Sequence, residues 1–312
     1  MFTKWFNHHE YFRYGFFILL IFSFILNSVV LQNHSNFFIL YIISVIFLGI
    51  GFYNKPAWYL ILFTVFVVSC RFFLIRDQED NLLVTFMIYL ISYLLITFIS
   101  AGFMLNVQKV KDDNLELTTA LANALDSRDT YTLHHSENVA KYGVKIAEKL
   151  NLSKEECSII RIGGLLHDIG KIGVPEHILT KPGKLTEDEY NVITTHPTIG
   201  YEIIKHVTSF HRNGVLDIVL YHHERYDGKG YPAGLKGEEI PLVARIISVA
   251  DTFDAMISRR VYREELDLAF TLNEIKKNKG TQFDPEIVDV FLSLFEDEAE
   301  GKRNIHVFNL KQ

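Results

Sequence analysis

The sequence predicts an all-α protein in two parts: four transmembrane helices, then a helical linker leading into a soluble helical domain. Three observations predict it. Uncharged runs fill the first third of the chain, helical periodicity with helix-start signals fills the remainder, and no convincing period-two alternation marks a strand. The 312 residues exceed one minimal domain, and composition changes abruptly near position 109, giving residues 1–108, 109–124 and 125–312 as the natural divisions.

The first division is lipid-like. Gly15 to Asn54, Pro56 to Cys70 and Asn81 to Gln108 contain no Asp, Glu, Lys or Arg. Polar breaks at 32–36, 53–56 and 76–80 cut these runs into four apolar stretches of about 17–25 residues, each enough to span a bilayer as a helix. A signal peptide does not fit, because no small-residue cleavage site follows Leu31 and three more apolar runs come after it. Lys4 and Arg13 precede the first span, Lys55 lies between the second and third, and Lys109 and Lys111 follow the fourth. The chain is therefore expected in the cell membrane as a multi-pass protein with both termini and the soluble domain cytoplasmic. Arg71 and Arg76 pull the other way, accompanied by Asp77, Glu79 and Asp80. Arg71 is near enough to the interface to snorkel, a sensing role being the alternative. The short external loops leave no room for an outer sensory domain. Cys70 and Cys157 fall in a span and a cytoplasmic helix, so no disulfide framework is expected.

Residues 109–124 form the helical linker. Placing Val107, Asn114 and Leu121 at a puts Val110, Leu117 and Ala124 at d, an apolar seam with one Asn of the kind that fixes register in parallel dimers. A homodimer through 107–124 and an ordinary amphipathic linker both fit fewer than three heptads. Beyond it, Val139, Tyr142, Ile146 and Leu150 recur at helical spacing. Ser153-x-x-Glu156 and Thr186-x-x-Glu189 read as capping boxes, and Asp284-Pro285 as an N-cap with proline opening the last helix. Gly170, Gly173, Pro175, Pro182 and Gly183 mark a long loop. With 26 basic against 33 acidic residues in 109–312, binding of a nucleic-acid polymer is not expected.

Five histidines and two aspartates stand out: His135, His167, Asp168, His196, His222, His223 and Asp251. Imidazole with carboxylate suits divalent ions such as Fe, Mn or Zn, and the absence of Cys argues against a structural zinc site. Asp168 has two oxygens and could bridge two ions about 3.5–4 Å apart, the spacing that clamps a phosphoryl group during in-line attack. His8, His9, His34, His134, His177, His206, His211 and His306 lack such company and are read as non-ligands.

Three blocks carry a resemblance: Ala124 through Ser136, Leu165-Leu166-His167-Asp168-Ile169-Gly170-Lys171, and His222-His223-Glu224-Arg225-Tyr226-Asp227-Gly228-Lys229-Gly230-Tyr231-Pro232. From about Ala120 to Val290 the chain resembles the HD-GYP family of cyclic di-GMP phosphodiesterases, within the HD-domain phosphohydrolases. The resemblance implies an all-α HD-type domain over 125–312. It implies two divalent ions, Fe or Mn by preference, one held by His135, His167, Asp168 and Asp251 and the other by Asp168, His196, His222 and His223. Tyr131 stands where some members carry a third-metal glutamate, which favours two ions. The resemblance further implies Asp168 and Lys171 as catalytic, and Lys171, Arg260, Arg263 and Tyr231 as substrate-binding, with the Gly-Tyr-Pro loop a surface for signalling partners. Lys171 is expected about one helical turn past His167, facing the scissile phosphate, provided the helix persists. The expected activity is hydrolysis of cyclic di-GMP to pGpG, GMP or both. Another cyclic dinucleotide as substrate, or a non-catalytic module recruiting partners, are the alternatives; seven intact ligands count against the second.

Overall fold

The structure is a computed structural model describing residues 9–30, 37–74, 81–128, 134–212, 214–258 and 267–300. Thirteen α-helices and no strand occur among them, the only ladder contact being an isolated bridge between Lys279 and Phe283. The all-α expectation is met. The chain forms two compact units that divide between Asn114 and Leu115.

The first unit holds α1 (His9–Ile25), α2 (Ile39–Gly51), α3 (Ala57–Leu74) and most of α4 (Leu82–Asp126). Phe16, Tyr41, Val45, Leu48, Val67, Val68 and Tyr93 pack inside, while Ile18, Phe22, Leu62, Phe66, Ile91 and Ile99 face outward. Among the described residues, three helices are long and apolar enough to cross a membrane: His9–Ser28, Ala57–Leu74 and Leu82–Asp126. The fourth apolar helix differs from expectation. Ile39–Gly51 has 13 residues, about 20 Å of rise, short of a hydrocarbon core of about 30 Å. The apolar run continues to Tyr53, but the chain turns there, Lys55 N–H donating to Phe52 O, and Arg13 places its guanidinium on Gly51 O at 2.7 Å.

Arg71 does not snorkel. It is 6% exposed, its guanidinium 3.4 Å from the Tyr89 ring centroid and 5.8 Å from that of Phe38. A weakly hydrated planar cation gains from aromatic faces what it loses in water, so the side chain turns inward. The expected span-plus-linker is likewise one element, since α4 runs unbroken for 45 residues. Its seam positions Val110, Asn114, Leu117, Leu121 and Ala124 are exposed.

The second unit contains the end of α4, then α5 (His135–Lys149), α6 (Lys154–Leu166), α7 (Glu176–Leu179), α8 (Glu187–Ile193), α9 (His196–Ile204), α10 (Val215–Tyr221), α11 (Leu242–Ile257), α12 (Leu268–Lys277) and α13 (Pro285–Glu300). Helices α5, α6, α10 and α11 surround a core of Val139, Ile146, Ile160, Ile218, Ile246, Ile247 and Phe253, with Phe291 of α13 closing one side. Each such side chain contributes about 1.5–3 kcal/mol on burial. Phe253 meets Tyr142 at 4.8 Å and Phe291 at 4.9 Å between ring centroids, both edge-to-face. The predicted starts are in place. Ser153 with Glu156 and Thr186 with Glu189 form reciprocal capping boxes, and Asp284 Oδ1 accepts from Glu286 N at 2.8 Å.

Candidate metal centre

The seven residues singled out from the sequence come together, most of them at helix ends. His135 opens α5, His167 closes α6, His196 opens α9, His222 closes α10, and Asp251 projects from the middle of α11. Asp168 follows His167 and begins a 3₁₀ turn, Ile169–Gly173. The helix does not persist to Lys171 as expected, because the turn packs directly on the first turn of α9. A Cβ on Gly170 would lie 1.9 Å from His196 O and 2.5 Å from Gly200 N. Only glycine admits that approach, which brings His196 beside Asp168.

Two groups result, Asp168 with His196, His222 and His223, and His135 with His167 and Asp251, each with ligand atoms within 4.8 Å of one another. Asp168 belongs to both neighbourhoods, its Oδ1 3.2 Å from His196 Nε2 and its Oδ2 3.2 Å from His167 Nε2. Asp251 Oδ1 lies 3.2 Å from His135 Nε2. All except the half-buried His223 and Asp251 are buried.

The imidazoles are oriented from behind. Nδ1 of His167 lies 2.7 Å from Gly164 O, that of His196 2.7 Å from Ile193 O, and that of His222 3.0 Å from Val219 O. A carbonyl oxygen can only accept, so in each ring Nδ1 donates, and Nε2 of a neutral ring presents its lone pair to the cluster. His196 Nε2 and His222 Nε2 face each other at 3.3 Å. Two lone pairs at that separation repel unless a cation lies between them. His167 Nε2 and Asp168 Oδ1, both buried, make no hydrogen bond. Buried polar atoms without partners are costly, and here they converge where an ion would satisfy them. The donor set therefore fits divalent cations.

The electrostatics split the groups. Burial drives His222 well below the usual imidazole range, helped by His223 and His167, and drives His223 down to about 3. Burial opposes charge on His135 too, but Asp251 and Asp254 outweigh it and lift that imidazole to about 10. His167 is also raised, chiefly by Asp168 acting against burial. Asp168 sits well below the carboxylate range: burial opposes ionisation, and Lys171 and His167 prevail. Asp251 is held low against its burial by His135.

Lys171 reaches Asp168 Oδ2 at 2.6 Å and so lies at the cluster's edge. Tyr231 lies beside His223, ring centroids 4.9 Å apart and tilted by 32°. Arg260, Arg263 and Tyr131 lie outside the described residues. His134 points outward as expected, toward Glu137.

Two residues had escaped the sequence reading. Asp254 Oδ2 accepts from His135 Nδ1 at 2.7 Å and fixes that ring as the carbonyls fix the others. It stands one turn after Asp251 on α11, a spacing that could have drawn attention to it. Glu224 is 2% exposed and accepts from the backbone N–H groups of Ala233, Gly234 and Leu235 at 2.7, 3.0 and 3.1 Å. It cinches the loop after His223, where a Cβ on Gly230 would lie 2.4 Å from Arg225 N.

A model of the HD domain family matches residues 119–287, more than half of the chain. The chain belongs to the HD domain family. Among curated relatives of this HD domain, the cyclic di-GMP phosphodiesterase response regulator RpfG of Xanthomonas campestris is 46% identical over 188 residues, covering 60% of this chain and 50% of that protein. A cyclic di-GMP phosphodiesterase of Thermotoga maritima is 41% identical over 184 residues, 59% of this chain and 50% of its own. The 3'3'-cGAMP-specific phosphodiesterase 2 of Vibrio cholerae is 33% identical over 202 residues, 65% of this chain and 38% of its own. The chain spans about half the length of the first two, and residues 119–287, matched by the family model, contain every candidate ligand.

Proposed function

We propose that this chain is a membrane-anchored, metal-dependent phosphodiesterase that hydrolyses cyclic di-GMP to pGpG, GMP or both. The observation that carries the reading is the convergence of imidazole Nε2 lone pairs and two carboxylates on adjoining positions that share Asp168. His135, His167, Asp168 and Asp251 would hold one divalent ion, and Asp168, His196, His222 and His223 the other, Fe or Mn by preference. When bound, two such ions activate water and neutralise charge on a phosphoryl group undergoing in-line attack. The chain's own groups do the rest. Lys171 steadies Asp168 and presents an ammonium at the cluster's edge to a phosphate oxygen. Tyr231 offers its ring and hydroxyl, and Arg260 and Arg263 are assigned to the substrate's phosphates, where a guanidinium fork suits two oxygens at once. The three long apolar helices anchor the enzyme with both termini in the cytoplasm, and the exposed seam of α4 at Val110, Leu117 and Leu121 pairs with a second copy. The loop ending in Tyr231 and Pro232 is assigned as a surface for a signalling partner.

The test is turnover of cyclic di-GMP by the full chain in nanodiscs, loaded anaerobically with Fe(II) or Mn(II), with products resolved by chromatography. Formation of pGpG that vanishes in Asp168→Ala is expected. A chain that binds two ions and releases no product would overturn it. A second reading, hydrolysis of a mixed guanine-adenine ring, is favoured by the relatives named as 3'3'-cGAMP-specific. Metals and arginines contact phosphate and leave base identity unread, so the same assay run with both substrates decides.

A further inference from the structure

We infer that Asp126 and Arg128, at the end of the long helix α4, are positioning residues that set the two halves of the metal centre separately. Asp126 is the last residue of α4 and is 5% exposed. Its carboxylate accepts from the Ser136 backbone N–H at 3.0 Å and from the Ser136 hydroxyl at 2.9 Å. Helix α5 has no side-chain cap of its own, since its N-cap residue His134 adopts φ 67° and makes no capping bond. The first turn of α5, which carries His135, is therefore capped from α4. Asn123 adds a second tie, donating to Glu137 Oε1 at 2.7 Å.

Arg128 reaches the other half. Its Nη1 donates to Lys171 O and Ile172 O, both at 3.2 Å, and its Nη2 to Val174 O at 3.4 Å. These are the carbonyls at the C-terminal end of the 3₁₀ turn that begins after Asp168. A planar guanidinium is suited to collect several carbonyls at once, which a single ammonium cannot reproduce. Both ties sit two residues apart on one chain segment, yet one governs His135 and the other governs Asp168 and Lys171. Their effect on the cluster runs through Ser136 and through the turn.

The inference rests on the metal-centre assignment proposed above and predicts a pattern that general destabilisation would not give. Arg128→Ala is expected to weaken Mn(II) binding about 10–100-fold at both groups, because Asp168 serves both. Asp126→Ala is expected to do so only at the group containing His135, His167 and Asp251, leaving a lone ion bound. The full chain in nanodiscs is titrated with Mn(II), occupancy is read by elemental analysis, and the electron paramagnetic resonance spectrum separates a coupled pair from a lone ion. Arg128→Lys should fall between wild type and Arg128→Ala, and it carries the test if the alanine variant does not fold. Amide hydrogen exchange of the metal-free protein is followed in parallel, with faster exchange expected at 171–174 for the Arg128 variants and at 136–138 for Asp126→Ala. Equal loss at both groups in both variants, or wild-type affinity and exchange in either, would overturn the inference. A wild-type chain that binds no pair of ions while the exchange pattern appears as described would instead remove the metal assignment and leave the two ties standing.

Discussion

Asp254 places a full carboxylate behind His135, where the other oriented histidines have backbone carbonyls. Asp254→Ala is therefore expected to weaken binding at the His135 group by about 10–100-fold with the fold retained, measurable by metal titration. Gly170 is the second critical single residue. Gly170→Ala would push a methyl into the His196 carbonyl, and overpacking of this kind costs about 1–3 kcal/mol. Chemical denaturation should show that loss together with weaker metal binding, and an unchanged midpoint would contradict the close packing described. The pH response also belongs here. In the metal-free protein His135 keeps its proton up to about pH 10, whereas an unfolded histidine releases it near 6.5. Its ion pairs thus stabilise the metal-free fold fully below about 6.5 and fade as pH climbs through 10. A cation arriving at His135 must expel that proton, while His222 and His223 have none to lose. Mn(II) affinity should rise about tenfold per pH unit at the His135 group between pH 7 and 9 and stay nearly level at the His222 group. Equal slopes for the two would refute the division.

At the scale of elements, Glu224 holds the segment from Ala233 to Leu235 by three backbone bonds. Glu224→Ala should lower the local opening energy there by about 1.5–3 kcal/mol, seen as faster amide exchange confined to that segment. Most elements of the second unit could be read in advance because their signals are local. Capping boxes at Ser153 and Thr186, the N-cap at Asp284 and the spacing after His135 are each decided within a few residues. The 3₁₀ turn after Asp168 was not legible, since its cause is a contact between Gly170 and His196, 26 positions apart. Asp254 was missed for a similar reason. An acidic residue one turn from a ligand on a helix looks like a solvated charge until the facing imidazole is known. The ligands themselves were legible because they sit in short blocks of unusual composition. The first unit yielded less. Hydropathy marked where α4 leaves its apolar stretch, but no proline or glycine lies between Gly102 and Asp126 to stop the helix, so one element appeared where two had been expected.

For the molecule as a whole, ions binding the folded centre and not the unfolded chain would add stability by mass action. Removing them with a chelator should lower the melting temperature of the second unit and abolish turnover together, with both restored on adding Mn(II). Loss of turnover with no change in melting would place the ions elsewhere.

Helix α4 also defines how such a chain can be recombined. The groups that Asp126 and Arg128 hold, Ser136 and the carbonyls of Lys171, Ile172 and Val174, all follow Leu115, so a foreign helix spliced upstream of Leu115 would leave both ties in place. A graft would have only to end in a helix that continues into Leu115.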